Sequence, residues 1–587
     1  MCGIAGIMTR DGRNPDGNTL DRLTQALLHR GPDGSGRHVA GDTGLVQTRL
    51  AIIDLETGDQ PLFEPGGAAL VANGEIYNYI ELRESLTDIR PATRSDCEPP
   101  LHLYRRKGLD FVHDLRGMYA IAIHDPGTRQ LILTRDPFGI KPLYYAETST
   151  CFAFASEPRA LIAAGLVDPV LEDGAVNELL QLQFTCGEDT IYRGIRRVLP
   201  GETLVICNGM VAERRRFPAL PDGGAESIST DDALTALDRA LEDSVRVHQR
   251  SDVPYGLFLS GGIDSSTVLA MMARLNSQPV ATFTAGFSGT DVHDERPRAR
   301  AVAAACGADH QEVDFSEEDF WALLPKIASD IDDPVADYAA LPTWKLARSA
   351  AQELKVVLCG EGGDELFAGY GRYRRQMRPW WLGGRSIRSK GIFDGLGVLR
   401  QEGTGWRAGI DASLADARGD GRSPLQAAQA ADCADWLPND LLTKVDRCLM
   451  SHGLEGRTPF IDPAVASFAF RLPDRLKIRD GRGKWLLRRW FDGALPDAGA
   501  FERKRGFTVP VGEWIRRRGE ALGPIVAAYP AVHALCHPGR VAALFRAADG
   551  RHGKAAWTLL FYALWHRARI EGRPLETDVF ASLEAGV

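Results

Sequence analysis

The chain has 587 residues, 44% hydrophobic and 25% charged, the balance of a soluble globular protein long enough for two or more cores. A net charge of −9 argues against a general nucleic-acid surface, and no apolar run approaches the roughly 20 residues that span a bilayer. The N-terminus lacks a signal-peptide pattern and the ten cysteines are scattered without a C-x-x-C pair, so a reduced cytoplasmic protein without structural zinc is expected.

Cys2 is the first reactive group in the chain. Removal of Met1 would leave a thiol and a free α-amine on one residue, and that amine, with an ordinary pKa of about 7.7–8.0, can serve as base for its own side chain. A buried structural cysteine is the plain alternative, and position alone favours it. Behind Cys2 follow His29-Arg30-Gly31-Pro32-Asp33, Arg49-Leu50-Ala51-Ile52, Asn73-Gly74-Glu75-Ile76-Tyr77-Asn78, Ser95-Asp96-Cys97-Glu98 and the run RDPFGIKPLYY from Arg135 to Tyr145. Five motifs in this order resemble the class II, N-terminal-nucleophile glutamine amidotransferase domain over residues 1–209.

That resemblance implies an Ntn-hydrolase αββα sandwich in which Cys2 attacks the glutamine amide and Asn73 and Gly74 form the oxyanion hole. It implies Arg49 on the glutamine α-carboxylate, a forked match that lysine cannot reproduce. Asp96, with Glu75, would hold the α-ammonium, and Ile52 would line the same pocket. The His29–Asp33 and Arg135–Tyr145 motifs read as mostly structural. Pro99, Pro100 and Pro158 depart from the family pattern, but proline is tolerated in a first helical turn.

Residues 210–230 read as a linker, rich in proline, glycine and hydroxyl side chains from Arg214 onward. Leu234, Leu237, Leu241 and Val245 then recur at helical spacing. Val253 to Leu259 is an apolar run too short for a helix and predicts a strand, while Ser265 to Leu275 predicts a helix opened by two hydroxyl residues suited to an N-cap. Between them, Ser260-Gly261-Gly262-Ile263-Asp264 is a turn whose bare N–H groups can close around an anion at a helix N-terminus. A carboxylate there repels a phosphate unless a divalent cation intervenes, so Asp264 reads as a Mg²⁺ ligand. No lysine closes the turn, which excludes the G-x-x-x-x-G-K-[ST] loop. The stretch resembles the PP-loop of ATP pyrophosphatases, implying a grip on the pyrophosphate of ATP and release of AMP and PPi.

Strands are predicted over 280–287, 310–315 and 355–359, with a helix over 295–306. The alternation predicts a parallel sheet covered on both faces, with ligands beyond the carboxyl ends of its strands. Gly360-Glu361-Gly362-Gly363-Asp364-Glu365 begins at such an end. With Lys444 to Arg447, Gly453 to Asp462 and Gly483 to Arg488, these motifs resemble the synthetase domain of glutamine-hydrolysing asparagine synthetases over about 240–520, giving an α/β PP-loop domain at 231–587. The resemblance implies ATP contacts from Phe258, Ser260, Gly261, Gly262, Asp264, Ser265, Ser266, Ala285, Cys359 and Gly360. It also implies metal ligation by Asp264 and Asp364, acid/base work by Glu361, and a cation at Lys484 for the adenylate and PPi. Asp446 and Arg447 stand as acceptor ligands on motif position alone. Cys359 and Gly363 replace serines, Gly456 replaces an apolar residue and Asp332-Asp333-Pro334 varies a D-E-P pattern, which bears on acceptor choice. An insertion at 372–435 reads equally as helices, a lid or a partner surface.

Joined, the two domains imply glutamine hydrolysis to ammonia, internal ammonia transfer, and amidation of an adenylated carboxylate, using ATP and Mg²⁺. L-aspartate is the first-choice acceptor. The alternative is the same chemistry on another carboxylate, such as a sugar acid or peptide in surface-polysaccharide or secondary metabolism. A catalytically silent binding protein is disfavoured by intact Cys2, Asn73, Asp264 and Asp364. No nucleic acid or membrane partner is expected, and a homodimer is left open.

Overall fold

The computed structural model describes residues 2–584 except 291, 293, 402, 404, 420, 497 and 503–507. Two six-stranded antiparallel sheets build the N-terminal part. The first runs in the order Arg196–Arg197, Tyr144–Glu147, Cys151–Ala155, Gly3–Thr9, Thr43–Arg49, Gly34–Ala40. The second runs Met210–Arg216, Glu202–Cys207, Gln130–Arg135, Gly117–Asp125, Ala69–Ile76, Leu62–Phe63. Apolar side chains of both meet in one core that includes Ile4, Met8, Leu45, Val71, Ala120, Leu133 and Leu204.

The helix Gly17–Leu27 buries Leu20, Leu23 and Leu27 on the outer face of the first sheet. Glu98–Lys107 packs Leu101 and Tyr104 against Leu70, Ile121 and Ile123 on the outer face of the second. Helix, sheet, sheet, helix is the αββα layering of an Ntn hydrolase. Pro99 and Pro100 sit in the first turn of their helix, where a missing N–H costs no internal hydrogen bond. The strand Met210–Arg216 lies inside the stretch expected as linker and pairs along Glu202–Cys207 as the sheet edge.

The third sheet is parallel throughout, in the order Asp309–Asp314, Ala281–Gly286, Tyr255–Phe258, Val356–Leu358, Glu455–Arg457. Leu257, Val356 and Leu358 pack with Leu237 and Leu241 of helix Thr230–His248 and with Val268 and Met272 of helix Ile263–Leu275. Phe283 and Val357 pack with Phe320 and Leu341 of helices Glu317–Asp330 and Ala340–Ala350. Both faces are thereby covered. The chain winds outward from Tyr255–Phe258, then returns to its other side at Val356–Leu358. This reversal opens a crevice beyond the strand ends, the general ligand position in such sheets.

The helix after the glycine turn begins at Ile263, with Gly262 as its N-cap and no side-chain cap. Ser265 and Ser266 are therefore inside the first turn and do not cap it as expected. Ser265 Oγ instead accepts from the Ser260 N–H at 3.1 Å and ties the turn shut. The 372–435 insertion contains helices Ala408–Asp416 and Pro424–Ala431, and a π-helical segment, Asp432–Leu442, follows. No helix among the described residues is long and apolar enough to cross a membrane.

Candidate active sites

Cys2 leads into the first sheet, and Asn73 lies in the second, so the two meet across the sandwich. The Cys2 N–H donates to Asn73 Oδ1 at 3.2 Å, while Asn73 Nδ2 is buried with no hydrogen-bond partner among the described residues. A buried amide donor left unpaired is costly unless a ligand takes it up. Gly74 follows in the same strand, and a Cβ there would stand 2.1 Å from the Met118 carbonyl oxygen, so only glycine fits. Burial pushes the Cys2 thiol above its ordinary pKa.

Glu75, Asp96 and Glu455 bring three buried carboxyl groups to this site. Arg457 faces two of them, with Nε 2.7 Å from Glu455 and a terminal nitrogen 3.3 Å from Glu75. Asp96 Oδ2 accepts from the Ile76 N–H at 2.7 Å. Burial, then the charges of Glu455 and Asp96, holds Glu75 well above the usual carboxylate range. Asp96 is pushed up to about 6, chiefly by burial and then by Glu455, against the Ile76 hydrogen bond. The cluster is short of positive charge and suits an ammonium ligand. Arg49 is buried, bonded to Asp59 at 2.7 Å and to the Asp54 carbonyl at 2.5 Å. Ile52 is buried and its carbonyl accepts from the Asp252 N–H at 3.0 Å.

The second site opens on a cavity of about 1360 Å³ at the crevice of the parallel sheet. Ser260, Gly261, Gly262, Asp264, Asp364 and Lys484 line it. Gly261 has φ +66°, a value that favours glycine, and the Gly262 N–H donates to Ser260 Oγ at 3.3 Å within the turn. Lys484 Nζ bonds to Asp264 and lies 2.7 Å from Asp364. A Cβ on Gly369 would lie 1.8 Å from Asp364 Oδ1 and 2.2 Å from Lys484 Cε, so any side chain at 369 would displace this pair. Glu361 is half-buried beside it. Burial raises its carboxyl pKa, with the Lys444 charge opposing and that of Asp264 reinforcing. Phe258 and Ala285 end or lie in adjacent parallel strands, and Cys359-Gly360 follows the strand Val356–Leu358. A Cβ on Gly360 would approach the Ser265 nitrogen to 2.9 Å, so the two glycine turns abut. Ser266 Oγ is buried without a hydrogen-bond partner among the described residues.

Asp446 and Arg447 do not line this cavity. Asp446 takes a two-pronged contact from Arg30, at 2.7 and 2.9 Å, and a third from Arg447 at 2.7 Å. Arg447 continues to Asp332 at 2.6 Å, and Asp333 pairs with Arg197 at 2.8 Å. These buried groups bond the two halves of the chain together. Removing one partner of such a pair typically costs about 3–5 kcal/mol, because a buried charge is left alone. Arg135 and Asp136 likewise spend their hydrogen bonds on backbone groups of their own motif and of Tyr119 and Val198.

The strand Glu455–Arg457 touches both sites. Glu455 and Arg457 contribute to the Cys2 cluster, while the Arg457 carbonyl accepts from the Cys359 N–H at 2.7 Å, two residues before Glu361. Lys141 Nζ lies 3.5 Å from the Gly456 carbonyl of the same strand.

The asparagine synthase family profile matches residues 236–567, and a glutamine amidotransferase domain profile matches residues 1–217. The chain belongs to the asparagine synthase family. It is 32% identical to asparagine synthetase [glutamine-hydrolyzing] 1 of Bacillus subtilis, over 99% of this chain and 98% of that one. It is 35% identical to a putative asparagine synthetase [glutamine-hydrolyzing] of Mycobacterium bovis, over 97% and 98%. Among solved structures, a glutamine phosphoribosylpyrophosphate amidotransferase from B. subtilis is 18% identical and covers 53% of this chain and 81% of its own, with a TM-score of 0.29.

Within this asparagine synthase, the motifs alone do not mark Glu455, Arg457 and Lys141 as neighbours of the candidate catalytic groups. All three stand inside quoted motifs. What no motif could give is which face of the short strand Glu455–Arg457 looks across to the other sheet system.

Proposed function

We propose that this asparagine synthase hydrolyses glutamine at Cys2 and uses the ammonia to amidate an ATP-activated carboxylate, with L-aspartate as the acceptor and L-asparagine, glutamate, AMP and PPi as products. The observation that supports the reading is the strand Glu455–Arg457, which contacts both the Cys2–Glu75 cluster and the turn after Val356–Leu358 at the crevice. The boundary between the two catalytic units falls after Arg216, where the last strand of the second sheet ends. Ten unbridged cysteines fit a reducing compartment, the cytoplasm.

With Met1 removed, the Cys2 nitrogen becomes the α-amine that takes the thiol proton. The thiolate attacks the glutamine amide carbon, and the oxyanion is met by the unpaired Asn73 Nδ2–H and the Gly74 N–H. One such donor is worth about 10²–10³ in rate. Arg49 would exchange its Asp59 contact for the glutamine α-carboxylate, and Asp96 with Glu75 would hold the ammonium. The α-ammonium returns its proton to the amide nitrogen, ammonia leaves beside Glu455 and Lys141 for the crevice, shielded from bulk water that would protonate it, and water then cleaves the Cys2 thioester to glutamate.

In the crevice, the acceptor carboxylate oxygen attacks the α-phosphorus of ATP and PPi departs against the glycine turn and Lys484. Ammonia then attacks the acyl carbon, AMP leaves, and Glu361 takes the proton released from nitrogen. Asp264 and Asp364 both reach Lys484 Nζ, so their hard oxygen donors lie close together, and such a pair suits Mg²⁺ when phosphates complete its shell. A bound Mg²⁺ would neutralise the phosphates, and these two carboxylates would hold it.

Two results are expected. With saturating ammonium and MgATP, aspartate should drive PPi release faster than glutamate or sugar acids; release driven only by another acid would move the enzyme to that substrate. For glutamine hydrolysis, the Asp96 carboxyl must be ionised to hold an ammonium. Because its pKa is raised to about 6, it gains the proton as pH falls through that value. The glutamine KM should therefore climb below about pH 6, up to roughly tenfold per pH unit, while ammonia-dependent synthesis compared at equal free NH3 shows no such limb. Asp96→Asn should give a high KM at every pH.

A further inference from the structure

The cavity has a second set of lining residues on segments that carry none of the nucleotide motifs: Gln183, Asp337, Tyr338, Trp436, Asp440 and Lys554. Asp440 is 1% exposed, and no hydrogen bond reaches its Oδ1 among the described residues. Trp436 Nε1 is buried and equally without a partner. Both belong to the π-helical segment Asp432–Leu442, a backbone form concentrated at functional sites. A carboxylate shut away from water without a partner is expensive, and persists where a ligand completes it.

The charges around Asp440 define that ligand. Asp337 accepts from Lys444 Nζ at 2.7 Å and from the Ala339 N–H at 3.0 Å. Lys554 makes no ion pair among the described residues, although the charges of Asp337 and Asp440 both act on it. Burial, then the charge of Asp337, pushes the Asp440 carboxyl up to about 8, with Lys444 opposing. The corner thus presents a buried carboxyl that keeps its proton near neutral pH until a cation compensates its charge, beside a lysine with no ion pair among the described residues. Glu361 links this corner to the nucleotide turn, since the charges that shape it are those of Lys444 and Asp264.

Resting on the amidation reading above, we propose that this corner is the acceptor subsite and that it takes a zwitterionic amino acid. Asp440, seconded by Asp337, receives the ammonium, and Lys554 receives the α-carboxylate. Trp436 Nε1–H donates to the same ligand, and the side-chain carboxylate is left pointing past Glu361 toward the nucleotide. Asp440 and Lys554 are then the residues that set acceptor choice.

Trimmed acceptors test this directly. Succinate is aspartate without its ammonium, and β-alanine is aspartate without its α-carboxylate. PPi release by the full-length enzyme, with saturating ammonium and MgATP, gives kcat/KM for all three. The wild type should prefer aspartate to each analogue by about 10–100-fold, the worth of a hydrogen-bonded charge. Asp440→Asn should bring aspartate and succinate within a few-fold while keeping the preference over β-alanine. Lys554→Gln should do the reverse. The KM for ATP and the rate of glutamine hydrolysis should hold in both variants, which also shows that they fold. Lys554 is exposed, so its arm stands even if the Asp440 variant fails to fold. Unchanged preferences in variants of a working enzyme would overturn the subsite and leave the amidation reading intact. A wild type that releases PPi with none of the three would overturn both.

Discussion

Cys2→Ala is expected to abolish glutamine-dependent amide formation, on the order of 10⁶-fold for loss of a nucleophile, and to leave ammonia-dependent formation nearly unchanged. The separation follows from where the groups lie. Cys2, Asn73 and Gly74 stand between the two antiparallel sheets, and none of them lines the cavity at the crevice of the parallel sheet. Alanine at position 2 removes the thiol but leaves the N–H that bonds Asn73, so the strand beginning at Gly3 keeps its register. The check is a pair of initial rates, one with glutamine and one with ammonium chloride, on the same preparation. Equal losses in both would contradict two separate chemistries. Mass spectrometry of the active enzyme should also find Cys2 at the N-terminus, and full activity with Met1 retained would exclude the α-amine as base.

Asp264→Asn is expected to lower synthesis and PPi release by about 10²–10³-fold with either nitrogen source, while glutamine hydrolysis at Cys2 survives. In the structure Lys484 holds Asp264 and Asp364 together. Losing one charge would leave a single carboxylate for the lysine and the proposed Mg²⁺, so the KM for MgATP should rise and its magnesium dependence should shift to higher concentration. Asp364→Asn should behave alike. Unchanged PPi release in the Asp264 variant would remove both carboxylates from the nucleotide site.

Much of this arrangement is legible in the chain because strong local signals coincide with it. The apolar run ending at Leu259, the glycine pair and the helical spacing after Ser265 together fix a strand, a turn and a helix. The helix nonetheless starts at Ile263, since the tight turn at Gly261 and Gly262 lets the backbone enter helical geometry before the hydroxyl residues are reached. Met210–Arg216 shows no such signal. Its side chains are mostly exposed and three are arginine, so only pairing with Glu202–Cys207 makes it a strand.

Asp446 and Arg447 show the limit for charged motifs. Adjacent opposite charges read as well for an amino-acid ligand as for a buried contact, and the partners that decide it, Arg30 and Asp332, lie more than a hundred residues away in sequence. The acceptor corner is harder still. Gln183, Asp337, Asp440 and Lys554 come from four distant segments, and each alone is an ordinary polar residue.

The most direct measurement follows the acceptor's oxygen. With aspartate carrying ¹⁸O in its side-chain carboxylate, MgATP and glutamine, attack on the α-phosphorus transfers one labelled oxygen to phosphorus. Mass spectrometry should find that label in AMP, with PPi formed in equal amount and asparagine retaining the other oxygen. Label in orthophosphate, with ADP as the nucleotide product, would contradict adenylation in the crevice and with it the function proposed for this site.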